Sequence, residues 1–172
     1  ITLMKLMDQK RYSAVFQKKN LFIFAIIVFT FFLDRVSKIK ILNLQINNET
    51  IFVNDYLNLN LVWNTGIGFG LLSSDSTIFY NIITLIIGFV IFFLAIWITK
   101  SNTTEKFFLS LILGGALGNI YDRIIYFAVP DFIDFHYKTF HWFTFNIADI
   151  FITIGILLII IKDLFLKNVK NL

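Results

Sequence analysis

The feature that most constrains the fold is a stretch of 21 residues, Ile78 to Ile98, without a charged side chain. A helix needs about 20 mainly apolar residues to cross the ~30 Å hydrocarbon core of a bilayer. Two further stretches are comparably apolar, and a fourth becomes long enough only if its helix continues past Asp34. The sequence therefore predicts four transmembrane helices, at residues 20–41, 78–98, 107–127 and 145–161.

The composition agrees with a membrane protein and excludes several functional classes. Apolar residues make up 58% of the chain and charged residues 15%, against roughly half and a quarter in soluble domains. The absence of cysteine excludes a disulfide framework, a thiolate metal site and a cysteine nucleophile. The net charge of +4 does not indicate a nucleic-acid partner, because the basic residues lie at the ends of the apolar runs.

Lysine and arginine are distributed unevenly between the segments outside the predicted helices. Ten lie in the two terminal segments and the loop between the second and third helices, whereas Lys138 alone lies in the other two loops, 42–77 and 128–144. The positive-inside rule then predicts cytoplasmic termini and two outer loops. A cleaved signal peptide is disfavoured, since Asp34 and Arg35 stand where small residues would precede the cut.

The first outer loop carries a β-strand signal. Leu57, Leu59, Leu61 and Trp63 alternate with polar or smaller residues, and this period of two predicts a half-buried strand. We therefore expect an all-α membrane protein of one domain, residues 1–172. Its four transmembrane helices carry a small extracytoplasmic β element in the first outer loop.

Several polar residues lie inside the predicted helices, where a charge is costly and usually marks function. Counted along the helices, they fall near the outer boundary of the bilayer. Their spacing gives each helix one polar patch, and Asp34 and Lys38, four residues apart, can form an ion pair. Gly114 and Gly118 form a Gly-x-x-x-Gly pair that permits close helix packing. The polar residues are Asp34, Lys38, Asn119, Asp122, Arg123, Asn146 and Asp149.

Asp131 follows the third predicted helix and Asp149 lies just inside the fourth, so the short loop between them allows the two carboxylates to meet. Two carboxylates that share one proton can activate a water, one as base and the other as proton donor to a substrate carbonyl. Two other interpretations stay open at this point. One is an ion-coupled carrier that uses buried Asp and Arg groups. The other is a metal cluster of Asp131, Asp134, His136 and His141.

Five short motifs occur in order between residues 20 and 161. They are Asp34-Arg-Val-Ser-Lys38, Asn64-Thr-Gly-Ile-Gly-Phe-Gly70, Gly114-Gly-Ala-Leu-Gly-Asn119-Ile-Tyr-Asp-Arg123, Val129-Pro-Asp131-Phe-Ile-Asp134 and Phe145-Asn-Ile-Ala-Asp149. In order and spacing the motifs resemble those of the lipoprotein signal peptidase (signal peptidase II) family.

This resemblance implies an aspartic endopeptidase of the bacterial cytoplasmic (inner) membrane. Such an enzyme removes signal peptides from prolipoproteins, cutting on the N-terminal side of a diacylglyceryl-modified cysteine. By position, Asp131 and Asp149 would be the catalytic pair, and Asp34 and Lys38 a supporting pair. The substrate-binding residues would be Asn64, Gly66, Asn119, Arg123 and Asn146.

The resemblance also implies the absence of a metal or other cofactor. It further implies inhibition by the cyclic peptide globomycin bound at the catalytic pair, Asp131 and Asp149, which we call the dyad. We expect a monomer surrounded by membrane lipids, without a nucleic-acid partner. Two positions depart from the family pattern, which often has Gly and Val where this chain has Phe127 and Pro130. Asp134, close to Asp131, is the competing candidate for the catalytic aspartate.

Overall fold

The computed structural model describes residues 18–44, 49–66 and 77–170. Its four helices are α1 (Lys18–Leu44), α2 (Thr77–Lys100), α3 (Thr103–Tyr126) and α4 (Ile147–Lys170). Its four strands, β1 (Ile51–Asn54), β2 (Leu57–Asn64), β3 (Val129–Tyr137) and β4 (Phe140–Phe145), form one antiparallel sheet in that order. The helices cover the four predicted apolar stretches, except that the third ends at Tyr126 rather than at residue 127 and the fourth begins at Ile147 rather than at residue 145.

Helix α3 is the centre of the bundle and packs against α1, α2 and α4. Its glycines make this packing possible. A Cβ atom on Gly115 would lie 2.6 Å from the carbonyl oxygen of Ala148 in α4, and one on Gly114 or Gly118 would collide with α1, at Thr30 or Asp34. The predicted close packing through the Gly-x-x-x-Gly pair is therefore confirmed.

The outer surface of the bundle is apolar. Helices α2 and α3 are each long and apolar enough to cross a membrane, but only 11% of the most apolar part of α2 is buried, against 56% for α3. The exposed residues of α2 include Phe89, Phe92 and Phe93. A surface of this kind is suited to contact with lipid rather than water. The four-span topology itself stays a prediction.

The sheet is larger than the sequence indicated. The strand predicted at Leu57–Trp63 is confirmed as β2, but residues 128–144, which were expected to be a connecting loop, supply β3 and β4. The first half of β3 shows no alternation, because Val129 to Phe132 are all buried. A proline also argues against a strand, because it cannot donate a hydrogen bond to a neighbouring strand. Pro130 is tolerated because pairing of β3 with β4 begins only at Ile133.

The residue that follows α3 has a left-handed backbone conformation. Phe127 has a φ of 56°, a conformation that favours glycine because a side chain clashes with the backbone there. Glycine, which the family pattern often has at this position, therefore suits the positive φ that the backbone adopts here. Phe127 adopts the same conformation at some cost in energy and leaves its ring exposed.

Candidate active site

Asp131 lies near the start of β3 and is almost fully buried, with 2% of its surface exposed. Its Oδ2 accepts a hydrogen bond from Nδ2 of Asn64 at 2.8 Å, and its Oδ1 accepts one from Nδ2 of Asn146 at 2.5 Å. Burial raises the pKa of Asp131 to about 7, and the negative charge of Asp149 acts in the same direction. The two hydrogen bonds oppose this rise. Asp131 thus titrates near neutral pH.

Asp149 lies in the first turn of α4, where it forms a reciprocal cap with Asn146. The backbone N–H of Asn146 donates to Oδ2 of Asp149 at 3.2 Å, and the backbone N–H of Asp149 donates to Oδ1 of Asn146 at 3.1 Å. Nδ2 of Asn119 donates to the other carboxylate oxygen at 2.8 Å. Since Asn146 also donates to Asp131, both aspartates lie within hydrogen-bonding distance of one residue.

Lys38 is fully buried and organises the groups behind Asp149. Its ammonium donates to Asp34 at 2.9 Å, to Asn119 at 2.8 Å and to Asp122 at 2.7 Å. The predicted Asp34–Lys38 ion pair is confirmed. Because Lys38 can only donate, it fixes the amide of Asn119 with its oxygen toward the lysine and its NH₂ toward Asp149.

Asp34 also connects α1 directly to the start of α4. Its Oδ1 accepts a hydrogen bond from the backbone N–H of Ala148 at 3.1 Å. Ala148 precedes Asp149, so this bond holds the first turn of α4, and with it the backbone of Asp149, against α1.

Arg35 is the functional-site residue that sequence reasoning missed. Its guanidinium donates two hydrogen bonds to Asp122, at 2.5 and 2.7 Å, and one to Asp34 at 3.0 Å. It also lies over the ring of Tyr121, 4.8 Å from the centroid. The signal was present in the sequence: Asp34 and Asp122 at membrane depth require two cations for neutrality, and Lys38 supplies only one.

Arg123 does not join the polar patch with Asp122 that the helical spacing predicted. Consecutive residues point about 100° apart around a helix, so Asp122 faces α1 while Arg123 faces α2 and the end of β2. Its guanidinium donates to the carbonyl oxygen of Gly66 and lies 5.4 Å from the ring centroid of Tyr80. Nη1 of Arg123 is buried and has no hydrogen-bond partner among the described residues.

Two hydrogen bonds connect the backbone of Gly66 to residues of the site. Its backbone N–H donates to Oδ1 of Asn64 at 2.8 Å, while its carbonyl oxygen accepts from Arg123. Asn64 therefore connects Gly66 to Asp131 through one amide group. The rest of the glycine-containing motif, residues 67–70, lies outside the described residues.

The competing aspartate, Asp134, has different partners. Its carboxylate lies 2.9 Å from Nδ1 of His141, and the two groups form part of a cluster with His136. Asp131, which the metal-cluster interpretation included, is not a member of this cluster. Among the described residues, Asp134 shares no hydrogen-bond partner with Asp131 or Asp149.

An apolar cavity of about 340 Å³ opens beside Asp149. Its walls come from the sheet and from α4, and include Phe135, Trp142 and Ile150. A carboxylate at the edge of an apolar cavity is a common arrangement for a site that binds an apolar group and performs polar chemistry on it. Around Asp131 and Asp149 the structure places amide groups that donate to them and, without a hydrogen-bond partner among the described residues, Nη1 of Arg123.

Comparison with known proteins gives a consistent result. Residues 26–165 match the family model described as signal peptidase (SPase) II. A lipoprotein signal peptidase of Pelagibacter ubique (strain HTCC1062) is 47% identical over 89% of this chain and 94% of its own length. One from Francisella tularensis subsp. novicida (strain U112) is 43% identical over 70% of this chain and 77% of its own length.

Solved structures agree with these sequence comparisons. A bacterial membrane enzyme solved at 2.3 Å by the in meso method superposes with a TM-score of 0.70 at 35% identity, over 87% of this chain and 90% of that one. The chain belongs to the signal peptidase II family.

Proposed function

We propose that this protein is an aspartic endopeptidase that removes signal peptides from bacterial prolipoproteins. The observation that carries the proposal is the pair Asp131 and Asp149, both within hydrogen-bonding distance of Asn146. Asp131 has a pKa of about 7, raised by burial and by the charge of Asp149. Asp131 with this pKa keeps its proton up to about neutral pH beside the negative charge of Asp149, and one proton on the pair is the state that water activation requires.

The reaction needs no group beyond the dyad and one water. The ionised carboxylate removes a proton from the water, whose oxygen attacks the carbonyl carbon of the scissile peptide. The protonated carboxyl donates its proton to the carbonyl oxygen, which gives a neutral tetrahedral diol. When the diol collapses, a proton passes to the leaving nitrogen, the C–N bond breaks, and the dyad again holds one proton.

The surrounding residues divide into positioning groups and substrate-binding groups. Asn119 and Asn146 orient the aspartates, with Lys38 and Asp34 behind them. Nη1 of Arg123, buried and unpaired among the described residues, is suited to donate a hydrogen bond to a carbonyl oxygen of the substrate.

The membrane is part of this proposal. Four spans with cytoplasmic termini put the dyad near the outer face of the bacterial inner membrane, in a multi-pass protein. A diacylglyceryl-modified substrate diffuses laterally to this depth, and the apolar cavity beside Asp149 offers space for one of its apolar groups. A cyclic peptide such as globomycin would block cleavage by occupying the same position against the dyad.

The test is cleavage of a lipidated prolipoprotein by the purified protein in liposomes. We expect a product whose new N-terminus is the modified cysteine, identified by mass spectrometry, and no product from the same substrate without its lipid. Cleavage should persist with a strong chelator, because the dyad uses no metal. Solute uptake into the liposomes without peptide hydrolysis would favour the ion-coupled carrier instead.

A further inference from the structure

The hairpin of β3 and β4 carries a second cluster of titratable side chains, apart from the dyad. His136 of β3 pairs directly with His141 of β4, and Asp134 lies two residues before His136. The pairing shifts between Asp134 and His136, and an irregularity of this kind changes the direction of nearby side chains. One ligand atom from each residue lies within 4.8 Å of the other two. These are the only two histidines in the chain.

The contacts within this cluster leave one nitrogen unexplained. Nδ1 of His141 lies 2.9 and 3.0 Å from the two carboxylate oxygens of Asp134, which an ordinary ion pair would account for. The rings of His136 and His141 stack at 5.2 Å with an angle of 21° between them. Nδ1 of His136, however, is buried and has no hydrogen-bond partner among the described residues. A buried ring nitrogen of this kind calls for a partner.

We propose that Asp134, His136 and His141 bind one divalent transition-metal ion of the Zn²⁺ type. Two imidazole nitrogens and one carboxylate oxygen favour zinc or its neighbours in the transition series over Mg²⁺ or Ca²⁺, which prefer oxygen ligands alone. Three protein ligands leave a fourth tetrahedral position open to solvent.

The geometry is within reach of coordination. Zinc–ligand bonds of about 2.0–2.1 Å in a tetrahedron place ligand atoms about 3.3 Å apart. No separation in the cluster therefore has to shrink by more than about 1.5 Å, and the carboxylate of Asp134 is already near enough to Nδ1 of His141. The side chain of His141 is 54% exposed, so it can rotate toward His136 without disturbing the core.

The site is separate from the proposed chemistry. None of the three residues donates to or accepts from Asp131 or Asp149 in the described part of the chain. A bound ion would cross-link β3, which carries Asp131, to β4, which ends next to Asn146. The metal proposal therefore stands or fails independently of the peptidase proposal, and binding rather than cleavage is its readout.

The experiment is a titration of the full-length protein in detergent with ZnCl₂, followed by isothermal calorimetry, on protein that carries no polyhistidine tag. We expect about one equivalent of Zn²⁺ to bind, and His136→Asn or His141→Asn to weaken binding by about tenfold or more. Asp55→Asn removes an exposed carboxylate from the β1–β2 turn and serves as the matched control, which should bind as the wild type does.

Every outcome of this titration bears on the proposal. Absence of Zn²⁺ binding by the wild type at submillimolar concentrations overturns it, and so does equal binding by the wild type and both histidine variants. If His136→Asn fails to fold, as judged by gel filtration and thermal unfolding without zinc, the exposed His141→Asn decides the question alone. Equal displacement of Zn²⁺ by Mg²⁺ would contradict the stated preference for nitrogen ligands.

Discussion

The hydrogen bond from Asn64 to Asp131 should set the pH range in which the enzyme works. This bond, 2.8 Å long, favours the ionised carboxylate and so keeps the pKa of Asp131 below the value that burial and Asp149 alone would give. A hydrogen bond to a charged group contributes about 1.5–3 kcal/mol, and one pKa unit corresponds to about 1.36 kcal/mol. Asn64→Leu should therefore shift the pKa of Asp131 upward by about one to two units.

The sign of the effect on activity follows from the proton that the dyad shares. The wild type loses this proton, and with it activity, as the pH rises through about 7. Asn64→Leu retains the proton to higher pH, so the falling limb of kcat/KM against pH should move upward by the same one to two units, roughly. The assay is cleavage of a fluorescent lipopeptide in micelles across neutral and alkaline pH.

A variant on the same strand provides the control. Asn60 belongs to β2 as Asn64 does, but its amide oxygen accepts from the hydroxyl of Thr50 and it has no bond to Asp131. Asn60→Leu should leave the falling limb where the wild type has it. A limb that stays in place in Asn64→Leu, or that moves to lower pH, would refute the reasoning about Asp131.

Three further predictions concern stability, read as the thermal unfolding midpoint in detergent. Lys38→Met leaves Asp34 and Asp122 with one cation between them and should cost about 3–5 kcal/mol; an unchanged midpoint would contradict the charge balance. Phe127→Gly should stabilise the protein by about 1 kcal/mol relative to Phe127→Ala, which keeps the positive φ; equal midpoints would exclude backbone strain there. Gly115→Val forces α3 away from α4 and should destabilise by about 1–3 kcal/mol or more, whereas a neutral result would contradict the close packing.

The helices were predictable because each contains a long apolar stretch, although the first reaches its full length only by continuing past Asp34. Strand β2 was predictable because apolar and polar residues alternate along it in the sequence, although Leu57 to Leu61 are all half-buried in the structure. Strand β3 was not, since its first half is buried on both sides and includes Pro130 and Asp131. Burial on both sides removes the period of two on which a strand prediction depends.

The candidate site was predictable as a set of residues but not as a set of contacts. The motifs identified the aspartates and asparagines by their order along the chain. Asn146 contacts both Asp131 and Asp149 because it caps the start of α4 and because β3 approaches it there. The spacing of residues along the chain predicts neither feature. The partners of Asp122 could not be predicted either. Asp122 binds Arg35 rather than its neighbour Arg123, because the two residues lie on faces of α3 that meet different helices.

The central claim is that Asp131 and Asp149 together perform the hydrolysis. The direct measurement is the cleavage rate of a lipidated prolipoprotein by Asp131→Asn and Asp149→Asn, each inserted in membranes at wild-type level, with Asp134→Asn as the matched control. Each dyad variant keeps the shape of the side chain but cannot share the proton, so we expect losses of about 100-fold or more, while Asp134→Asn cleaves normally. Near-normal cleavage by either dyad variant would contradict the account.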